Sequence, residues 1–395
     1  MWEQVWQQGL LGTNVWQFLI AMLVMTHITI ISVTVYLHRF SAHRSLELHP
    51  ALQHFFRFWI WLTTAQSTKE WTAIHRKHHA KCETKDDPHS PVVKGLKTVL
   101  LQGAELYKQA ATPETLARYG NGTPDDWLER KVYTPHKLKG VFLMLAIDLL
   151  AFGPIGITLW AIQMMWMPVF AAGVINGLGH FWGYRNFECS DAATNISPWG
   201  ILIGGEELHN NHHTYPNSAK LSVKKWEFDI GWMWIKTFEF FGLANVRKVA
   251  PVPVKDKSKQ ALDLDAAKAA VHNRFQIMSS YTKNVIRPAI KEEKAKAHAE
   301  LHQAFRKAKK ILCRDEALLS DKAIKQRDSL LDSHDLLNEI YKKKQELQAV
   351  WARRSAGGEE LLQALKQWCH EAEQSGIDGL KEFADQLRLY TLKTA

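Results

Sequence analysis

The chain has 395 residues, a net charge of +10 and 16 tryptophans, enough for two domains with a sizeable core. Its four cysteines, Cys82, Cys189, Cys313 and Cys369, stand far apart, which argues against a disulfide framework and a cysteine zinc site and fits a reducing compartment. The positive balance suits anionic lipid, a phosphorylated substrate or nucleic acid, and by itself selects none of them.

The opening "MWEQVWQQGLLG" lacks the positive n-region and the small-residue cleavage site of a secretory signal. Residues 14–37, "NVWQFLIAMLVMTHITIISVTVYL", contain no Asp, Glu, Lys or Arg. As a helix the run is about 36 Å long at 1.5 Å per residue. The hydrocarbon core of a bilayer is about 30 Å thick, so one tilted crossing is expected. His27 lies within it and is expected to be a packing residue. The span ends at "HRFSAH", which carries His38 and His43.

Residues 51–67, "ALQHFFRFWIWLTTAQS", approach the minimum length of a span but contain Arg57. If histidines on either side of this segment share a site, it must lie in the membrane interface, which is the reading taken here. "WTAIHRKHHAKCETKDDPHSP" (71–91) follows, with His75, His78 and His79 within five positions. A second apolar block, 140–182, is broken by "GPIG" at 153–156 and predicts a helical hairpin. Asp148 falls inside it, and an intramembrane carboxylate either serves function or pairs with a polar neighbour in the bundle. Basic stretches after the first span and before the hairpin place both flanks in the cytoplasm and the N-terminus outside.

Beyond the hairpin come "NGLGH" (Asn176, His180) and "HNNHH" (His209, His212, His213). Nine of the 19 histidines therefore fall in four places. Positions i, i+3 and i+4 share a helix face, so each three-histidine cluster is expected to aim its imidazoles at one point. His38 and His43, five apart, lie about 140° apart on a regular helix. They converge only if the helix ends or bends between them. Imidazole suits Fe, Zn, Cu and Ni, and nine such groups exceed what one ion holds, so two metals are expected. Asn176, one turn before His180, is placed to hold a metal-bound water. A chance His-rich surface explains one such cluster, not four in one membrane-flanking pattern.

"HRFSAH", "EWTAIHRKHH", "CETKDDPHS", "NGLGHFWGYR", "NIS" (195–197) and "GEELHNNHHTYP" (205–216) together resemble membrane-bound fatty acyl desaturases of the stearoyl-CoA Δ9 type, in order and spacing over roughly residues 14–230. The resemblance implies an all-α integral membrane protein, with few transmembrane helices capped by a cytoplasmic histidine-rich di-iron domain. It implies His38, His43, His75, His78, His79, His180, His209, His212 and His213 as iron ligands, Asn176 holding water on one iron, and Trp71 lining the acyl tunnel. His49, His54, His89 and His136 have no ligand role in the pattern and are expected to be structural or at the surface. Two Fe ions with O2 as co-substrate would introduce a cis double bond, Δ9, into a saturated acyl chain, most simply acyl-CoA. Acyl-phospholipid is the nearest alternative substrate. Hydroxylation of an alkane or lipid, and a non-enzymatic metal-binding scaffold, are the further alternatives.

The chain departs from the animal enzymes of that family in having one span before the first histidine pair. It also lacks a fused cytochrome domain, which implies a separate electron donor such as a ferredoxin, rubredoxin or cytochrome with its reductase. The expected location is a bacterial inner (cytoplasmic) membrane, with the site facing the cytoplasm.

The expected organisation is a membrane-embedded desaturase domain over 1–248, a Pro- and Lys-rich linker over 249–261 and a soluble helical region over 262–395. The "SAGG" at 355–358 separates two helices of the last region. Its end, "LLQALKQWCHEAEQSGIDGLKEFADQLRLY", resembles helical segments of certain bacterial transposases. No acidic catalytic set accompanies it, so it reads as a shared helical scaffold. Mixed charge and few interleaved aromatics favour a docking role over nucleic-acid binding, and no nucleic-acid partner is expected.

Overall fold

A computed structural model describes residues 9–297, 302–352 and 357–392. The described chain is mostly helical, with three short strand pairs, and divides into two compact units. One unit takes Met1–Arg185 and Asp191–Ala250, the other Asn186–Ser190 and Pro251–Ala395.

In the first unit, α1 (Val15–Ile31) starts at Asn14, whose side chain accepts from the Gln17 amide while Gln17 returns a bond to the Asn14 amide. This capping box satisfies the first free amides of a helix that has no charge to help it. The helix runs on into a π-helical segment, Ser32–Ala42. Two helical stretches among the described residues are long and apolar enough to cross a bilayer, Val15–Ala42 and Lys137–Leu178. The second contains α5 (Lys137–Phe152) and α6 (Gly156–Trp166), which pack on each other as the predicted hairpin does. Trp160 donates to the Val141 carbonyl across that contact. A β-carbon at Gly156 would meet the Asp148 carbonyl oxygen at 2.1 Å, so the hairpin closes only with glycine there. Of the two readings of Asp148, pairing with a polar neighbour is not made: the side chain is fully buried and neither carboxylate oxygen has a hydrogen-bond partner. His27 accepts from the Trp234 indole, as a packing residue does.

Between these stretches lie α2 (Pro50–Thr64), α3 (Thr68–Lys81) and α4 (Leu96–Ala110). His49 caps α2 by accepting from the Ala51 amide, and Ser67 caps α3 by accepting from the Glu70 amide. Arg57, the charge that made 51–67 ambiguous, is buried and bonded to Asp126 and Glu129.

The strand β1 (Leu46–Leu48) follows the π-segment, and β2 (Trp199–Gly200) pairs in parallel with β3 (Phe228–Asp229). The buried α7 (His209–Thr214) lies between these last two strands in sequence, and α8 (Ile230–Phe240) follows them. The strand β4 (Ala244–Val246) then returns antiparallel to β1. Arg39, on the π-segment between the first two histidines, is 1% exposed. It makes two bonds to Asp229, at 2.9 and 3.0 Å, and donates to the Gly204 and Ala219 carbonyls. Its Nε has no partner, but a buried, ion-paired guanidinium of this kind fixes position more than it adds stability, and removing its partner strands a buried charge. We expect Asp229→Ala to cost about 3–5 kcal/mol, read as a lowered thermal unfolding midpoint of the detergent-solubilised protein.

In the second unit, β5 (Val254–Lys255) pairs with β6 (Tyr390–Thr391), so part of the expected linker is strand. The helices between them share one core that includes Tyr281, Leu347, Leu365, Trp368, Leu380 and Phe383. Tyr281 and Trp368 spend their polar atoms on the Ile340 and Lys343 carbonyls. The buried Lys344 ammonium caps the helix His302–Cys313 by donating to the carbonyls of Leu312 and Arg314. Half of the "SAGG" break, residues 355–356, falls outside the described residues; Gly357 caps the helix Gly358–Gln374, which begins on its last residue.

Candidate metal centre

His38 and His43 meet because the chain between them is π-helical, and the His43 amide donates to the His38 carbonyl at 3.0 Å. Bonds closing five residues apart bring i and i+5 to one side, which the α-helical spacing forbids. The helix therefore neither stops nor kinks between them; it rewinds.

The histidines gather into two adjoining groups. In the first, the ligand atoms of His38, His43, His75, His79 and His212 all lie within 4.8 Å of one another. In the second, His78, His180 and His213 do the same together with Cys82. His209 joins that group, with its Nε2 3.0 Å from His180 Nε2. The expectation that each cluster aims at one point is corrected here. His75 and His79 of α3 serve the first group and His78 the second. In α7, His212 serves the first group, while His209 and His213 serve the second. Successive residues on a helix are about 100° apart, so the adjacent histidines of each pair face different points. The rings of His79 and His213 stack at 4.4 Å where the groups touch.

The first group does not close as a hydrogen-bond network. Nε2 of His75 lies 2.8 Å from that of His43 and 3.1 Å from that of His79. Nε2 of His212 lies 2.8 Å from that of His79 and 3.1 Å from that of His38. An imidazole nitrogen points either one hydrogen or one lone pair in its ring plane. Each can serve one partner, so at most two of these four contacts are hydrogen bonds. In the second group, Nε2 of His78 and of His213 has no hydrogen-bond partner. Buried nitrogens with converging lone pairs fit a cation. Burial first, and the neighbouring imidazoles second, hold His43, His75, His79, His209, His212 and His213 well below the usual histidine range. Neutral rings are the form that binds metal.

Sequence reasoning missed the carboxylates behind these rings. Nδ1 of His38 is 2.7 Å from Glu206, that of His78 is 2.9 Å from Asp87, that of His180 is 3.0 Å from Glu83 and that of His213 is 3.1 Å from Asp191. Each carboxylate accepts a hydrogen bond from the Nδ1–H, which leaves the Nε2 lone pair free for a cation. Glu83 and Asp87 stand in "CETKDDPHS" and Glu206 in "GEEL", acids beside histidine boxes, but which histidine each backs is set by the fold, and Asp191 lies in neither motif. Asp87 also accepts from the Glu83 and His89 amides. Burial pushes its carboxyl up, but the His78 bond and charge outweigh this and hold it at about 2. A third group, His78 with Asp87 and His89, follows from that clamp. His89 is buried and stacks on His78 at 4.3 Å. We expect Asp87→Ala to weaken metal binding about 10–100-fold, measured by competition with a chelator of known affinity.

Trp71 stacks on His75 with ring centroids 4.8 Å apart. Asn176 is half-buried four residues before His180, just after the π-helical Met167–Ile175. Beside the first group, a cleft of about 670 Å3 is lined by Phe40, Ser41, Arg44, His54, Arg57 and Arg247, among others.

A family model described as "Fatty acid desaturase" matches residues 14–227, and one described as "Transposase" matches residues 263–393. The chain is 31% identical over 236 residues to a "Probable lipid desaturase ADS3.2, chloroplastic" of Arabidopsis thaliana, covering 58% of this chain and 63% of that one. It is 30% identical over 222 residues to an "sn-1 stearoyl-lipid 9-desaturase" of Synechocystis, covering 56% and 68%. It is 31% identical over 217 residues to an "Acyl-CoA 5-desaturase AL21" of Anemone leveillei, covering 54% and 65%.

Proposed function

We propose that this chain, which belongs to the fatty acid desaturase family, is an O2-dependent di-iron enzyme that places a cis double bond, Δ9, in a saturated acyl chain. The observation that carries this reading is the meeting of nine histidines in two adjoining, carboxylate-backed groups within the matched segment. His38, His43, His75, His79 and His212 would hold one iron and His78, His180, His209 and His213 the other, with Asn176 holding water on one of them. An iron pair supplies, with O2 and two electrons, the oxidising power to remove two hydrogens from a chain that has no acidic C–H bond.

The protein's part is positional. Glu206, Asp87, Glu83 and Asp191 fix the tautomers of the rings they back. Burial keeps His43, His75, His79, His209, His212 and His213 neutral. Trp71, stacked against His75, would form the wall of an apolar tunnel that holds one C–C bond beside the site, which is where regioselectivity would arise.

Residues 1–248 would form the membrane-embedded domain, with three crossings and α2 in the interface. The site would face the cytoplasm, in a bacterial inner membrane. The convergence of His43 with His75 supports this, since a crossing between them would part them. Residues 249–261 would link to a helical extension, 262–395, that docks a separate electron donor; its mixed charge supports a protein partner over nucleic acid.

Acyl-CoA is the substrate we favour, because the exposed Arg44, one residue from His43, lines a cleft and suits phosphate. Acyl-phospholipid is the second reading, supported by relatives whose names specify a lipid substrate. Expression in cells depleted of unsaturated lipids, with fatty acids profiled by double-bond position, tests the activity. New cis-9 alkenes are expected. Hydroxy lipids without alkene would overturn it, and purified protein given acyl-CoA or phospholipid separates the two substrates.

A further inference from the structure

Cys82 has no place in the histidine pattern, yet its sulfur lies within 4.8 Å of the ligand nitrogens of His78, His180 and His213. It ends α3 with extended backbone angles, φ −49° and ψ 133°. The next residue, Glu83, sits in the left-handed region at φ 63°, a conformation that a side chain of this kind adopts only under constraint. The constraint is visible. The Glu83 amide donates to Asp87, and its carboxylate accepts from His180, from the Ala192 amide and from Ser90. The turn that orients His180 is thus the turn that delivers the thiol.

A second observation points to a ligand at this place. His78, 1% exposed, directs an Nε2 with no hydrogen-bond partner into the same group. Metal–nitrogen bonds of about 2.0–2.1 Å and a metal–sulfur bond of about 2.3 Å place opposite ligands of one ion at most about 4.4 Å apart. A cluster that fits within 4.8 Å exceeds that span by about 0.4 Å, so its atoms need draw in only slightly to share one ion.

We propose that Cys82 binds the metal of the second group as a thiolate, beside the imidazoles of His78, His180, His209 and His213. The inference rests on the reading that these groups hold metal. On binding, the thiol releases its proton to solvent, which Cys82 reaches because it is only half-buried. The two centres then differ in kind: the first is all imidazole, and the second carries one soft, electron-rich ligand.

Zinc alone is the probe, because it does not oxidise the thiol. X-ray absorption of the zinc-loaded full chain is expected to need a sulfur shell at about 2.3 Å beside the nitrogens. That shell disappears in Cys82→Ser. In wild-type protein, alkylation of Cys82, mapped by mass spectrometry, is expected to slow about tenfold or more on loading. This second measurement does not depend on the variant folding. Two zincs bound with only nitrogen and oxygen shells, or alkylation unchanged by metal, overturn the thiolate and leave the functional reading standing. Protein that takes up no zinc overturns both.

Discussion

His212→Ala is expected to strip the first histidine group of its metal and to abolish turnover, while the protein remains folded. His212 is the contribution of α7 to that group. Its Nε2 lies 3.1 Å from that of His38 on the π-segment and 2.8 Å from that of His79 on α3. Removing the ring opens the set at the point where three elements meet. Loss of a group merely behind a ligand costs about 10–100-fold, so loss of a direct ligand at the junction is expected to exceed that range. Metal content by mass spectrometry should fall from about two ions per chain toward one, with the helical circular dichroism unchanged. Full metal content in His212→Ala would remove that ring from the binding set.

Asn176→Ala is expected to separate chemistry from binding. Asn176 reaches one of the two groups through a water in our reading, so its loss should lower turnover about 10–100-fold with most metal retained. His213→Ala is the control. Its Nδ1 is held by Asp191 and its Nε2 faces the second group with no protein partner, so that variant should lose metal as well as turnover. Equal metal loss in the two variants would place Asn176 among the direct ligands.

Much of this was legible in the sequence for physical reasons. The charge-free run at 14–37 is a strong one-dimensional signal, and it is helix in the structure. The "GPIG" break marks the hairpin because glycine and proline disrupt helices locally, and Gly153 adopts φ 70° there. The histidine boxes were visible because imidazole is rare in apolar surroundings. What could not be read depended on contacts across the chain. Glu206 meets His38 across 168 positions, and Glu83 meets His180 across 97; no local pattern announces such a pair. The π-helical rewinding between His38 and His43 was also hidden, because propensities describe the ordinary helix. The buried Asp148, with neither oxygen bonded, contradicts the rule that such groups pair, and we have no physical account of it.

The neighbouring rings His78 and His79, and His212 and His213, each send one member to either histidine group. The gap between the two centres is accordingly set by a single peptide step, twice over, on two helices. The two ligand groups cannot move apart unless both helices unwind, so any ions they held would keep one spacing. A short, stiff double link of this kind would fix the separation at which two ions could be held, while leaving each group able to lose its own ligand set.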